Sequence, residues 1–477
     1  MAWTYQQRIG GAWVPAVSGK TKKLLNPATE ELLRDLPFGD GEDCRLAIEA
    51  ASAAFPAWSK QSAYARAAVL KRAADTMREK IDDLARTTTL ESGKPLAQSR
   101  GEWGASADLF EWYAEECKRA YGRVIPSRSG TRQLVVLRQP LGVVGVITAW
   151  NFPTYNVARA GAAALAAGCT IVIRPSEHTP QTAMEMVNIL VEAGIPDGVV
   201  NLVHGQSSSI GQQMLDNPLC RKIHFTGSPR VGRLLMDGAS KTVKRLSLEL
   251  GGNAPVLIFP DVDVESVVAG AVVAKFRNAG QVCISPQRFI VHESILTEFQ
   301  KKAAEYAAKL VVGDGMQAGI NMGPLISERQ RDSIEQIVAG SIACGAKLLT
   351  GGKRPASLPN GFFYEPTVLA DVTPEAPAFA QEIFGPVMPI TPFATLEEGI
   401  RLANQTEHGL ASYTWTNNLH TARTVAESLE FGMVGVNDWN PFATEGPFTG
   451  WKESGVGSES GAEGLNEYLE TKLVAIA

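Results

Sequence analysis

Along the chain, short β-rich runs alternate with longer stretches whose apolar positions recur every three or four residues. The runs at 143–148, 170–173, 199–203, 222–225 and 245–248 predict strands, and the stretches 179–193 and 231–239 between them predict helices. Unbroken apolar strands joined by helix-length connections predict a parallel, doubly wound α/β sheet. Upstream, 43–58 and 63–91 have the spacing of amphipathic helices lying on a sheet flank. After Leu250-Gly251-Gly252 the pattern restarts, with a strand at 256–259, a helix over 264–276, a strand at 289–292 and a long helix over 295–311. A second α/β domain is therefore expected from residue 253. The segments 131–138 and 465–477 read as strands outside this alternation, the kind of arm that pairs across a subunit boundary. The resulting division is 1–121 with 140–252, then 253–452, with 122–139 and 453–477 as an oligomerisation arm of a homodimer or homotetramer.

The length of 477 residues suits more than one domain, and 45% apolar with 20% charged residues suits a globular protein. A formal net charge of −5 argues against nucleic acid as a partner, because phosphate binding needs clustered Lys and Arg. Residues 139–158 form an uncharged run long enough to span a bilayer. It carries Pro140, Gly142, Gly145, Asn151, Pro153 and Asn156, so a buried strand and turn are expected and no membrane association. The N-terminal residues lack the apolar core of a secretory signal, which makes the cytoplasm the expected compartment. The six cysteines are scattered, with no CxxC, and the histidines form no ligand-spaced pair, so neither a disulfide framework nor a metal site is expected.

Cys283, in Asn278-Ala279-Gly280-Gln281-Val282-Cys283, is the strongest nucleophile candidate, with turn amides after it expected to lower its pKa. Cys169, inside an apolar run, reads as a small buried hydrophobe. Glu249 ends a strand directly before Gly251-Gly252, where α/β sheets place their sites; it reads as a general base or equally as a solvent-facing strand end. Asn151 stands at a similar edge, as an oxyanion donor or as an ordinary residue of a turn before proline. The stretch from Gly227 and Ser228 to Gly232 opens a helix after a strand and offers backbone N–H groups to a phosphate, a weak signal on its own. Glu177 suits a ribose hydroxyl or, equally, a helix start.

Taken in order, Trp150-Asn151-Phe152-Pro153, Arg174-Pro175-Ser176-Glu177, Phe225-Thr226-Gly227-Ser228, Glu249-Leu250-Gly251-Gly252, Gly280-Gln281-Val282-Cys283 and Glu382-Ile383-Phe384-Gly385-Pro386 resemble the signature set of the NAD(P)-dependent aldehyde dehydrogenase superfamily. The likeness runs from Asn26-Pro27 to the tail at Tyr468–Lys472. It implies that the first domain binds the dinucleotide and the second carries the nucleophile. It also implies Cys283 as nucleophile, Glu249 as base, and Asn151 with the Cys283 amide as oxyanion hole. Trp150, Arg174, Ser176, Glu177, Gly227, Ser228, Leu250, Glu382 and Phe384 would hold the cofactor. NAD is favoured because Glu177 repels a 2′-phosphate, with NADP tolerated if Arg174, Ser176 and His178 soften that repulsion.

Within the superfamily the chain is most similar to the succinate-semialdehyde dehydrogenase group, through Ala274–Gln281 and Asn466–Glu470. By that resemblance Arg159 and Arg277 bind the distal acid group of a small acidic aldehyde, the alternative for each being an internal ion pair. The group's serine contact to that acid has no counterpart in Asn440–Glu445, which leaves succinate, glutarate and 2-oxoglutarate semialdehydes and sulfolactaldehyde open. Ser285 stands where some members have a redox-active second cysteine. Branches that transfer the acyl group to coenzyme A characteristically lack the glutamate found at 249, so release as a free acid is expected.

Overall fold

The computed structural model describes residues 4–477; the first three positions of the N-terminal segment read above lie outside the described residues. The first sheet has eight strands, in spatial order Ala12–Val14, Gln7–Ile9, Val200–Leu202, Thr170–Arg174, Val143–Ile147, Cys220–Thr226, Arg245–Glu249 and Gly455–Val456. The five inner strands are parallel, and the added strands at both ends run antiparallel. From Val143–Ile147 the chain winds outward one way to Thr170–Arg174 and Val200–Leu202, then returns to build the other side. That reversal opens a crevice at the strands' carboxyl ends, where α/β sheets bind ligands.

Register brings the expected residues to one level of this edge. Ile147 pairs with Arg174 on one side and Phe225 on the other, and Thr226 pairs with Glu249. Helices cover both faces, Gly41–Ser59, Ser207–Asp216 and Pro229–Ser240 on one, Pro153–Ala167 and Pro180–Glu192 on the other. The segment read as helical over 63–91 is two helices, Ala63–Glu79 and Ile81–Ser92, broken at Lys80. Helix Pro153–Ala167 is buried on every face. Its run of Ala and Gly side chains lets it pass between the sheet and helix Leu96–Glu116, and Pro153 fixes its first turn.

The second sheet has seven strands in the order Lys347–Thr350, Thr367–Ala370, Val387–Phe393, Pro286–His292, Ala254–Ile258, Ala411–Trp415 and Met433–Val436, parallel except for the first. Phe152 and Phe442 pack against the cores of both sheets and join them. A separate antiparallel sheet pairs Leu469–Ile476 with Gln133–Pro140 over the full length of both strands, and adds Arg123–Pro126. The 453–477 segment is not one strand: Gly455–Val456 joins the first sheet, Ser458–Glu459 pairs with Phe448–Thr449, Gly461–Asn466 is a helix against Pro153–Ala167, and Leu469–Ile476 alone joins the separate sheet. The apolar packing of Leu465 and Tyr468 in the first core explains the difference. No helix among the described residues is long and apolar enough to cross a membrane.

Candidate active site

Helix Val264–Phe276 ends at Arg277, and the chain then turns through Asn278, Ala279 and Gly280, all at positive φ. Left-handed backbone costs a residue with a Cβ roughly 1–2 kcal/mol, so other contacts must hold this turn. The Asn278 amide donates to Gln98 Oε1 at 2.9 Å, its side chain donates to Asn151 O at 3.0 Å, and Gln281 Oε1 accepts from the Ile326 amide at 2.9 Å. At Gly280 (φ +71°) a Cβ would lie 2.1 Å from Gly385 O, so only glycine fits. The turn delivers Cys283 half-buried to the wall of a cavity.

The strand bearing Glu249 approaches the same loop, because Gly252 has no side chain where a Cβ would sit 2.4 Å from Cys283 O. Glu249 is buried, its Oε1 lacks a hydrogen-bond partner, and it faces the Cys283 thiol. Asn151 donates one carboxamide N–H to Gln281 O at 3.3 Å, which leaves the second free at the nucleophile loop. Its backbone carbonyl accepts from Lys94 Nζ at 2.7 Å, and Lys94 is ion-paired with Glu102 at 2.5 Å, both fully buried. Glu102 in turn accepts from the Thr154 amide at 2.8 Å, so one buried pair fixes both the Asn151 turn and the helix after it.

The expectation of a lowered thiol pKa is corrected. Burial and the facing Glu249 carboxylate push Cys283 well up, and only the Arg159 charge opposes them. Glu249 itself is raised to about 8, chiefly by burial, with Arg159 acting against the shift.

The cavity beyond Cys283 has a volume of about 900 Å³ and aromatic walls, including Phe152, Tyr155, Trp439, Phe442 and Phe448. Arg159 and Arg277 both line it, in different states. Arg159 is 3% exposed and paired with Glu459 at 2.6 Å, its guanidinium between the Tyr155 and Phe448 rings. Glu459 also contacts His224 Nε2 at 2.6 Å. Arg159 thus stands in the internal ion pair that was one of its two readings, while still lining the cavity. Arg277, partly exposed, stacks on Phe152 at 5.5 Å and pairs with no carboxylate among the described residues. Glu459 escaped the sequence reading because the tail was assigned wholly to the arm, and His224 because it sits inside a predicted strand with no local motif to mark it.

At the crevice edge, Ser228 caps helix Pro229–Ser240 without a side-chain cap bond; its carbonyl accepts from the Val231 and Gly232 amides, both at 3.0 Å, and the Gly227 amide holds Glu249 O at 2.9 Å. Leu250 is buried with its amide on Ser454 O at 2.9 Å. Glu382 accepts from the Gly252 amide at 3.0 Å and is raised to about 7 by burial. Phe384, at φ +50°, meets Trp150 edge-to-face at 5.5 Å, and Trp150 meets His178 at 6.5 Å. Ser176 Oγ accepts from the His178 amide at 3.3 Å. Arg174 bonds Glu177 at 3.0 Å and Gly205 O at 3.1 Å, while its Nε is buried without a partner. A helix N-terminus at the switch point of the sheet, a carboxylate at each end and an aromatic bridge between them fit a dinucleotide. Sequence reasoning missed Lys22, which reaches Glu177 from a hairpin distant in the chain.

A thiol, a carboxylate and a carboxamide converging beside a dinucleotide-shaped edge are the parts of an oxidoreductase that handles a carbonyl through a cysteine adduct. Comparison with known proteins agrees: the chain belongs to the aldehyde dehydrogenase family, whose model matches residues 13–474. It is an NAD(P)-dependent aldehyde oxidoreductase. It is 42% identical over 471 residues to the glutarate-semialdehyde dehydrogenase of Pseudomonas aeruginosa, covering 99% of this chain and 97% of that protein. It is also 42% identical to the 3-sulfolactaldehyde dehydrogenase of Pseudomonas putida, covering 99% and 96%. The crystal structure of succinate-semialdehyde dehydrogenase from Burkholderia pseudomallei superposes with a TM-score of 0.97 at 44% identity, covering 99% of this chain and 98% of that one.

Proposed function

We propose that this chain oxidises a small aldehyde bearing a distal carboxylate or sulfonate to the corresponding acid. The observation that carries this reading is Arg277, an uncompensated guanidinium in an aromatic-walled cavity that ends at Cys283. The relatives named for succinate, glutarate and sulfolactaldehyde substrates support the acidic class.

In this reading the Cys283 thiolate adds to the aldehyde carbon, and the free N–H of the Asn151 carboxamide, with the Cys283 amide, holds the resulting oxyanion. When bound, the dinucleotide supplies the hydride acceptor; Glu382 and Phe384 hold its nicotinamide end, and Arg174 and Glu177 its adenosine ribose. Glu249 draws a proton from the water that hydrolyses the Cys283 thioester. Arg159, locked to Glu459, acts from behind the reacting atoms by stabilising negative charge on Cys283 and Glu249. We also infer assembly through the arm, because strand Leu469–Ile476 keeps one backbone edge unpaired and exposes Leu473 and Ile476.

The test is NADH production from succinate semialdehyde, glutarate semialdehyde, 2-oxoglutarate semialdehyde and sulfolactaldehyde against propanal and butanal. One anionic aldehyde leading by orders of magnitude in kcat/KM supports the reading. Equal rates for the neutral controls would remove the acidic substrate and leave only the dehydrogenase.

A further inference from the structure

Glu177 does not stand alone at the crevice edge. Its Oε1 accepts from Arg174 Nη2 at 3.0 Å, and its Oε2 accepts from Lys22 Nζ. Lys22 comes from the hairpin Thr21–Leu25 with Leu32–Pro37, opposite Leu36, and its ammonium also lies 5.1 Å over the Phe38 ring. The two cations differ. Arg174 is 7% exposed and tied to the Gly205 carbonyl as well, so it stays in place. The Lys22 side chain is 44% exposed, and among the described residues no hydrogen bond other than that to Glu177 holds its ammonium. The nearby histidines contribute no charge at neutral pH: burial lowers His178, and takes His204 to about 4. Glu177, held below the usual carboxylate range by Lys22 and Arg174 against its burial, is ionised. The local charge is then one plus one minus one, a net +1 where an isolated glutamate would give −1.

We propose that Lys22 is a cofactor-selectivity residue: it stays on Glu177 when the adenosine ribose carries a 2′-hydroxyl and turns onto the phosphate when the ribose carries a 2′-phosphate. This rests on the reading that Glu177 faces the adenosine ribose. Lysine suits the task because its ammonium is a mobile point charge on a flexible stem, where a buried arginine fork is not. The chain consequently accepts both dinucleotides, with Lys22 offsetting the repulsion of Glu177 toward the phosphorylated one.

Calorimetric titration of NAD+ and NADP+ onto the ligand-free protein tests this without reference to turnover. Lys22→Met is expected to raise the Kd for NADP+ about tenfold, the loss of one charge-assisted contact, and to leave NAD+ within about threefold. Lys22→Arg is expected to retain NADP+ binding, and raised salt to weaken NADP+ binding in the wild type more than in Lys22→Met. Equal weakening of both cofactors by Lys22→Met, no change in either, or a wild type that fails to bind NADP+ would each overturn the proposal. Glu177→Gln separates the two layers. If it moves neither Kd, the ribose reading falls and the proposal with it; if it shifts the NAD+/NADP+ ratio while Lys22→Met does not, only the role of Lys22 falls.

Discussion

The two cavity arginines, equivalent by sequence, should respond oppositely to the same substitution. Arg277→Leu removes a guanidinium that no carboxylate balances among the described residues, so the folded protein loses a stack on Phe152 and little else. An anionic substrate loses hydrogen bonds to a charged donor, each contributing about 1.5–3 kcal/mol. A loss of about 3 kcal/mol is roughly a hundredfold in kcat/KM. Neutral aldehydes never used that contact and should change by less than about threefold. Arg159→Leu instead leaves Glu459 buried with only His224 beside it, and breaking a buried pair by removing one partner costs about 3–5 kcal/mol. That variant should lower Tm and reduce turnover of anionic and neutral aldehydes alike. Steady-state kinetics on matched aldehydes, with thermal unfolding of each variant, provide the assay. An Arg277→Leu enzyme that loses anionic and neutral substrates equally, or an Arg159→Leu enzyme with unchanged Tm and a purely anionic defect, would refute the assignment.

The remaining expectations concern the nucleophile loop. Cys283 and Glu249 are both raised, the thiol by burial and by the facing carboxylate. The NADH burst rate, which needs the thiolate, should therefore keep rising with pH on the alkaline side of neutrality. In Glu249→Gln the negative neighbour is gone, the thiol pKa falls, and the rising limb should move to lower pH; an unmoved limb would separate the two groups. Gly280→Ala places a Cβ 2.1 Å from Gly385 O in left-handed backbone. That conformation alone costs roughly 1–2 kcal/mol, and the clash adds to it, so the variant should lose both Tm and burst amplitude.

The inner strands and the restart of the pattern after Gly252 were legible because strands buried on both faces leave unbroken apolar runs. The two N-terminal hairpins were not, since Thr21–Leu25 and Leu32–Pro37 are short and half exposed. Cys283, Glu249 and Asn151 could each be placed at a strand or helix end by local pattern, and the structure gathers them around one loop. Lys22, Glu459 and His224 could not, because each acts through a partner more than 150 positions away, a distance no spacing rule spans. The sign of the Cys283 shift was missed for the same reason. Turn amides are local and visible in sequence, whereas burial and an opposing carboxylate belong to the assembled site. Arg159 shows the limit most clearly, since position alone could not tell a free receptor from half of an ion pair.

The central claim is that the acyl group is carried by Cys283 and released by Glu249. Mixing the Glu249→Gln protein with NAD+ and the preferred acidic aldehyde, quenching in acid after one burst and weighing the digested peptides tests it directly. The account predicts a burst of NADH, slow later turnovers, and the mass of the acyl group on the peptide containing Cys283. A burst with Cys283 unmodified, or a steady state undiminished from wild type, would contradict it.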